Sequence, residues 1–225
     1  MLEFVDFSLK FKDKGNLITV VKNLNFKIEK GERFALVGES GSGKSVTAMS
    51  VLRLLPEAIA EGKIYWNNFD LLSKDTDMRA IRGKKISMIF QEPMSALNPV
   101  YTVGEQIFEA LNHLTELNAE EKNRKVLELL ELTGIDEPSR RAQCYPHELS
   151  GGQRQRILIS MALACEPDLL IADEPTTALD VTIRQQVMEL LYSIQKTKQM
   201  SILLITHDLP LVESFAERVG VMKHG

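Results

Sequence analysis

A glycine-rich loop early in the chain has the residue types and spacing of a phosphate-binding site. Residues 38–45 read GESGSGKS and fit the pattern G-x-x-x-x-G-K-[ST] at every fixed position. Glycines let successive backbone N–H groups converge on one anion, the Lys44 ammonium can reach the β- and γ-phosphates of a nucleotide, and the Ser45 hydroxyl can ligate Mg²⁺. We therefore predict phosphate contacts from the loop and the residue after it: Gly38, Glu39, Ser40, Gly41, Ser42, Gly43, Lys44, Ser45 and Val46.

Two adjacent carboxylates form a second candidate site, at the end of an apolar run. The run ends at Asp173, and Glu174 follows it directly. In phosphoryl-transfer sites a first acid at such a position holds Mg²⁺, and a second polarises the attacking water. A strand that merely ends in a solvated acidic turn gives the same pattern. The pair alone leaves both interpretations open.

A third stretch, LSGGQ at residues 149–153, predicts a second anion-binding helix terminus. Ser150 and Gln153 have capping-box spacing, so Ser150 is expected to begin a helix. Gly151 and Gly152 then allow an anion to approach the backbone N–H groups closely. A plain capped helix that serves only packing is the alternative.

The flanking sequence predicts the elements that must position these residues. Consecutive apolar residues, typical of strands covered on both faces, occur at 34–37, 85–90, 169–173 and 201–206. At the N-terminus the apolar residues instead alternate with polar ones, which predicts that one face of an antiparallel layer carries Val5, Phe7, Leu9 and Phe11. We therefore predict an α/β fold with a parallel or mixed nucleotide-binding sheet and an N-terminal antiparallel β layer.

The middle of the chain changes to a helical pattern. Thr102-x-x-Glu105 and Asn118-x-x-Glu121 are capping-box patterns that each open an amphipathic segment, and Gly134 is expected to end the second one. We predict one nucleotide-binding domain over 1–225, with an α/β core at 1–91 and 165–225 and an inserted helical subdomain at 92–164.

Composition excludes several classes of protein. The net charge of -4 and the pI near 5.7 argue against nucleic acid as the main partner. Cys144 and Cys165 lack metal-ligand or disulfide-framework spacing. No apolar run reaches the 18 residues that span a bilayer, and the N-terminus lacks a secretory leader, so we expect a cytoplasmic chain.

With these motifs in this order, the chain resembles the ATP-binding subunit of ABC transporters, and the resemblance covers essentially its whole length. The P-loop NTPase core and the cofactors ATP and Mg²⁺ are implied by it. In that family the signature segment, here Leu149 to Gln153, contacts the γ-phosphate of ATP held by the opposite subunit. Gln91 matches the glutamine that contacts Mg²⁺ and the attacking water.

Further residues match the family one by one. Asp180, in the triplet Ala178-Leu179-Asp180, matches a loop at the dimer interface, and His207 matches a histidine that faces the γ-phosphate. Phe11 resembles the aromatic residue that stacks on adenine, but it equally continues the core face of its strand. The resemblance thus implies catalytic roles for Glu174, His207, Gln91 and Lys44, and metal contacts from Ser45, Gln91 and Asp173.

Four longer stretches, at 38–48, 90–99, 145–148 and 173–182, resemble the oligopeptide, dipeptide and nickel importer ATPases of bacteria. Those proteins normally continue into a C-terminal extension, which is absent from this chain. The resemblance implies an ATPase on the cytoplasmic face of the inner membrane, peripheral to two permease subunits and paired with a second ATPase domain. An extracytoplasmic solute-binding protein would act indirectly, and the transported solute stays open.

Two other functions fit some of the motifs. A soluble ABC ATPase that acts on ribosomes or DNA would usually carry a second cassette, a charged linker or long insertions, none of which is visible. A small-molecule kinase would leave the signature segment without a role.

Overall fold

The structure is a computed structural model that describes residues 1–91, 96–114, 116–177 and 179–225. It divides into two compact units, the first formed by Met1–Arg82 with Gln199–Gly225 and the second by Gly83–Lys198. The strands are β1 (Leu2–Asp13), β2 (Asn16–Ile28), β3 (Arg33–Gly38), β4 (Ile59–Trp66), β5 (Phe69–Asp70), β6 (Ile86–Ile89), β7 (Leu169–Asp173), β8 (Ser201–Thr206) and β9 (Arg218–Met222).

The α-helices of the described residues are α1 (Lys44–Val51), α2 (Val103–Ala110), α3 (Ala119–Leu132), α4 (Pro138–Arg141), α5 (Gly151–Leu163), α6 (Val181–Lys198) and α7 (Leu209–Phe215). Short 3₁₀ turns cover Leu111–His113 and Pro146–Glu148. None of the helices within the described ranges is long and apolar enough to cross a membrane.

The first unit contains an antiparallel sheet with the strand order β2-β1-β4-β5. Its buried face differs in one respect from the predicted alternation, because Phe4 is buried there while Val5 is only half-buried. A bulge between Phe4 and Phe7, centred on Asp6 with a φ of 49°, inserts one residue and shifts the side-chain alternation. The Asn25 side chain accepts the Asp6 N–H at 2.8 Å and so stabilises the bulge.

The same unit contains three parallel strands, with β3 between β8 and β9. All six residues of β8 and four of the six in β3 are buried, as their apolar runs predict. The helix α1, which follows β3 and the glycine-rich loop, ends at Val51. Arg53 adopts a left-handed conformation with a φ of 50°, and the Arg82 side chain donates hydrogen bonds to the Leu52 and Arg53 carbonyl oxygens.

The second unit holds the parallel pair β6 and β7, against which α5 packs from the β6 side. The helices α2, α3 and α5 pack on one another through fully buried residues such as Ile107, Leu130 and Ile157. Both predicted capping boxes, at Thr102 and Asn118, are present with their reciprocal hydrogen bonds. Gly134 follows α3 with a φ of 70°, as predicted for a helix end.

The predicted α/β fold is confirmed, with its antiparallel layer, parallel strands and helical segment. The predicted borders of the helical subdomain, at 92 and 164, fall inside the second unit. They stay a prediction.

Candidate functional site

In the first unit, the phosphate loop (residues 38–45) and His207 each follow a strand of a parallel pair, at the same edge of that pair. Val37 of β3 is the register partner of Thr206 in β8. The loop therefore starts beside the position where His207 follows its strand. The carboxyl edge of parallel strands is where α/β proteins bind ligands, so this placement favours the predicted role of His207.

The phosphate loop requires glycine at two positions for different reasons. A Cβ atom on Gly38 would lie within 2.2 Å of the Met222 carbonyl oxygen, a distance that real side chains do not adopt. Gly43 has a φ of 100° and stands at the N-cap position of α1, where its left-handed conformation turns the chain into the helix. The loop thus packs tightly on β9 and bends sharply into α1.

Lys44 lies inside the loop that precedes it. Its ammonium donates hydrogen bonds to the carbonyl oxygens of Gly38, at 2.9 Å, and Glu39, at 3.0 Å. The side chain is buried, with 6% of its surface exposed. The loop therefore holds the positive charge in place beside the backbone that would cradle a phosphate.

The N-terminus of α1 adds backbone donors to the same place. No side chain caps this helix, and its first turn contains no acidic residue. The first hydrogen bond of the helix runs from the Thr47 N–H to the Gly43 carbonyl oxygen, so backbone N–H groups of the first turn point out of the helix end. A cavity of about 220 Å³ is lined by residues 38–42 and 221–224. The N-terminus of α1 is therefore suited to attract anions.

Phe11 lies near the tip of the hairpin formed by β1 and β2. It pairs across the strands with Ile18, which is 48% exposed, and it is itself half-buried, unlike the buried Leu9. Phe11 thus sits at the edge of the core face. Adenine stacking by Phe11 stays a prediction.

The second unit brings Gln91 and Glu174 together. Ile89 of β6 is the register partner of Ala172 in β7. Gln91 lies two positions after Ile89, and Glu174 lies two positions after Ala172. The Gln91 side-chain amide donates a hydrogen bond to Oε2 of Glu174 at 3.2 Å. Asp173, the last residue of β7, is buried. Parallel strands explain this meeting, because their carboxyl ends share one edge.

Glu174 begins a tight turn that orients its carboxylate. Its φ of 47° is unusual for a residue with a side chain and reverses the chain direction directly after β7. The Thr177 N–H donates to the Glu174 carbonyl oxygen at 3.1 Å, and the Thr177 hydroxyl donates to Oε2 of Glu174 at 2.8 Å. The sequence reasoning assigned no role to Thr177. A hydroxyl three residues after the acid, at turn spacing, was the available signal.

The signature segment begins α5 as predicted. Ser150 Oγ accepts the Gln153 N–H at 3.2 Å, and Gln153 Oε1 accepts the Ser150 N–H at 3.0 Å. Gly152 is buried, and a Cβ there would lie 2.7 Å from a methyl carbon of Ile183 in α6. This glycine is therefore needed for packing between two helices, a requirement that the sequence alone did not reveal.

Asp180 caps α6. Its Oδ1 accepts the Ile183 N–H at 3.0 Å, and Leu179 before it is buried. Ala178, the first residue of the predicted interface triplet, lies outside the described residues. The exposed Asp180 is accessible to a partner, as its predicted interface role requires.

The donor set suits Mg²⁺ better than a transition metal. Within the described ranges there is no group of three or more His, Cys, Asp or Glu residues able to hold a metal ion. The predicted contacts are instead a hydroxyl, a carboxylate and a side-chain amide oxygen, from Ser45, Asp173 and Gln91. Mg²⁺ prefers such oxygen ligands and usually keeps water and substrate phosphates as well.

The chain is similar to known proteins over most or all of its length. A family model described as ABC transporter matches residues 21–177. The chain is 49% identical over 229 residues to the dipeptide transport ATP-binding protein DppD of Bacillus subtilis, with coverage of all of this chain and 68% of the relative. It is 47% identical over 229 residues to the oligopeptide transport ATP-binding protein OppD of the same organism, again over the whole chain and over 64% of the relative.

A solved structure with the same fold is the ATP-binding cassette MJ0796, determined as a dimer in a post-hydrolysis state bound to ADP and Pi. Its TM-score to this chain is 0.86 at 31% sequence identity, with coverage of 100% of this chain and 95% of the other. A peptidoglycan transport ATP-binding protein of Agrobacterium fabrum, YejF, is 51% identical over 229 residues, but this chain spans only 42% of its length.

Proposed function

The chain belongs to the ABC transporter family as one of its ATPase domains, and we propose that it powers the uptake of peptides by a bacterial importer. The observation that carries the proposal is the buried Lys44 ammonium, held inside the phosphate loop at the uncapped N-terminus of α1. The relatives named for dipeptide and oligopeptide transport support peptides as the cargo. Nickel or another metal chelate is the alternative cargo.

ATP binds through its phosphates to the first unit. The Lys44 ammonium neutralises the β- and γ-phosphates, and the first-turn N–H groups of α1 donate to the same oxygens. Ser45, Asp173 and Gln91 would hold Mg²⁺, which would supply positive charge that stabilises the phosphates during hydrolysis. Phe11 stacks on adenine at the hairpin tip.

Hydrolysis uses Glu174 as the general base. The attacking water gives a proton to Glu174 while its oxygen bonds to the γ-phosphorus, and the bond from that phosphorus to the bridging oxygen of ADP breaks. ADP and inorganic phosphate are the products. Gln91 and His207 contact the water and the γ-phosphate, respectively.

The complete site requires a second ATPase domain. Ser150, Gly151, Gly152 and Gln153 of one domain contact the γ-phosphate bound by the other, and Asp180 lies at the same interface. The dimeric form of the structural neighbour supports this arrangement. Closure excludes water and strengthens the electrostatic contacts, and reopening after hydrolysis moves two permease subunits.

The ATPase is peripheral, on the cytoplasmic face of the bacterial inner membrane. It contacts the permease subunits directly and the extracytoplasmic solute-binding protein only through them. No observation favours the alternative, a soluble ATPase on ribosomes or DNA, and the net charge of -4 argues against it.

The base is tested by Glu174→Gln. We expect the rate of phosphate release to fall by roughly 10²- to 10⁴-fold while ATP binding persists, because the amide keeps its shape but accepts no proton. Glu213→Gln, an exposed carboxylate on α7, is the matched control and should retain full activity. Near-normal turnover by the Glu174 variant would contradict the assignment.

The cargo is tested by uptake in cells that depend on this importer. Glu174→Gln should abolish uptake of labelled di- and oligopeptides and leave nickel uptake unchanged. Loss of nickel uptake with intact peptide uptake would reverse the assignment of cargo. Purification with ribosomes or DNA, instead of with integral membrane proteins, would support the alternative function.

A further inference from the structure

We propose that Thr177 is a positioning residue for Glu174: its hydroxyl holds one carboxylate oxygen so that the base faces the attacking water in a fixed orientation. The inference rests on the proposed role of Glu174 in hydrolysis. It concerns a residue to which neither the motif pattern nor the resemblance assigned a task.

The hydrogen bond is short and lies within one turn of the chain. Thr177 Oγ1 is 2.8 Å from Glu174 Oε2, and the Thr177 N–H is 3.1 Å from the Glu174 carbonyl oxygen. Both residues are half-buried, while Pro175 and Thr176 between them are buried. The same four-residue turn therefore binds both ends of Glu174, its backbone and its carboxylate.

Gln91 and Thr177 both donate to the same oxygen of Glu174, but they are held differently. Gln91 is exposed, follows the end of β6 and donates to Oε2 at 3.2 Å, and it is also proposed to contact Mg²⁺ and water. Thr177 belongs to the turn of Glu174 itself and moves with it. Thr177 would therefore keep its contact with the carboxylate even if Gln91 turned to the metal and the water.

The chemistry of threonine suits this task. A hydroxyl that donates to a carboxylate forms a charge-assisted hydrogen bond, which is shorter and stronger than a hydrogen bond between neutral groups. The branched Cβ restricts rotation about χ1, so the hydroxyl keeps its direction at little entropic cost. A turn that served only to end β7 would not need the hydroxyl to point at the carboxylate.

The test compares Thr177→Val with Thr177→Ser in the intact ATPase under single-turnover conditions. The valine variant preserves volume and branching but removes the donor. We expect its rate of ATP cleavage to fall roughly 3- to 10-fold, with unchanged ATP affinity. The serine variant should restore the rate.

Thr197→Val, which removes a hydroxyl near the end of α6, is the matched control and should change neither quantity. If the valine variant does not fold, Thr177→Ala removes the same donor with less steric demand. A wild-type rate in a folded variant without the hydroxyl would overturn the inference. Glu174→Gln separates the two proposals: if it abolishes turnover while Thr177→Val keeps the wild-type rate, only the positioning role fails, whereas normal turnover in the Glu174 variant refutes the base.

Discussion

The two helix termini that are proposed to contact phosphate, those of α1 and α5, are built in opposite ways. The first has no side-chain cap, begins after a left-handed glycine and carries a lysine at its first position. The second is closed by the reciprocal hydrogen bonds of Ser150 and Gln153 and has no charged residue before its fourth position. At the first terminus no side-chain cap uses the backbone donors, whereas at the second a cap uses part of them to stabilise the helix.

This difference indicates a division of tasks. An uncapped helix start with a buried cation is costly unless an anion compensates it, so α1 is suited to hold phosphate tightly in each domain. A capped start is stable by itself and still presents a hydroxyl and glycine N–H groups. It is suited to bind a phosphate only when a partner domain brings one.

The largest expected effect is on the first terminus. Lys44→Met should weaken ATP binding by about 10²-fold, because charge-assisted hydrogen bonds to phosphate are lost while an unbranched, slightly shorter side chain is kept. Titration with a fluorescent ATP analogue measures it. Lys30→Met, at an exposed turn, is the matched control. Equal affinities for both variants would remove the distinction between the two termini.

The next largest effect is expected on stability, at Gly43, the N-cap residue of α1. Gly43→Ala should lower the free energy of unfolding by about 2 kcal/mol, because alanine disfavours a φ of 100° and its Cβ would lie 3.1 Å from the Val20 carbonyl oxygen. Gly41→Ala also has a positive φ but no atom within 4 Å of the added Cβ, so about 1 kcal/mol is expected. Chemical denaturation compares them. Equal losses of stability would mean that the contact between the added Cβ at position 43 and Val20 of β2 contributes nothing to the loss.

The capping serine separates stability from function at the second terminus. Ser150→Ala and Thr102→Ala remove the same kind of cap, and each should cost about 1 kcal/mol of stability. Only the Ser150 variant should also lose ATPase activity, since α2 is proposed to contact no phosphate. Chemical denaturation measures the stability of both variants, and a phosphate-release assay measures their ATPase activity. If the two variants retain equal activity, Ser150 only caps its helix.

The smallest effect concerns pH. Hydrogen bonds from the Thr102 backbone and hydroxyl lower the pKa of Glu105, which closes the capping box of α2. A lowered pKa in the folded state means that the stabilisation is present above the unfolded pKa and is lost as pH falls through the folded one. The stability difference between wild type and Glu105→Gln should therefore shrink from pH 6 to pH 4 in thermal unfolding. In α5 the corresponding residue is Gln153, which does not titrate, so Gln153→Ala should cost the same at both pH values.

Local patterns were the most predictable features of the molecule. The capping boxes at Thr102, Asn118 and Ser150 each depend on two residues three positions apart, so the spacing alone predicts the hydrogen bonds. The strand β8 was equally predictable, because a consecutive apolar run has to be covered on both faces. The phosphate loop likewise has a pattern that depends on neighbours in sequence.

Features that depend on distant partners were not predictable. The bulge at Asp6 is stabilised by Asn25 on the next strand, and it moved Phe4 into the core in place of Val5. Just beyond the end of α1, the Leu52 carbonyl oxygen accepts a hydrogen bond from the Arg82 side chain, 30 residues away in the sequence. A pattern of neighbours contains no information about such partners.

The sequence by itself determined the family, the α/β fold and the identity of the residues proposed to act on ATP, because these depend on residue type and short spacing. Only the tertiary structure decided that Gln91 and Thr177 meet at one oxygen of Glu174, and that Gly152 is required by Ile183. Strand register brings residues 83 positions apart within 3.2 Å, and helix packing leaves no room for a side chain at Gly152. Distance and available space are properties of the folded chain, and they decide which of the predicted residues can act together.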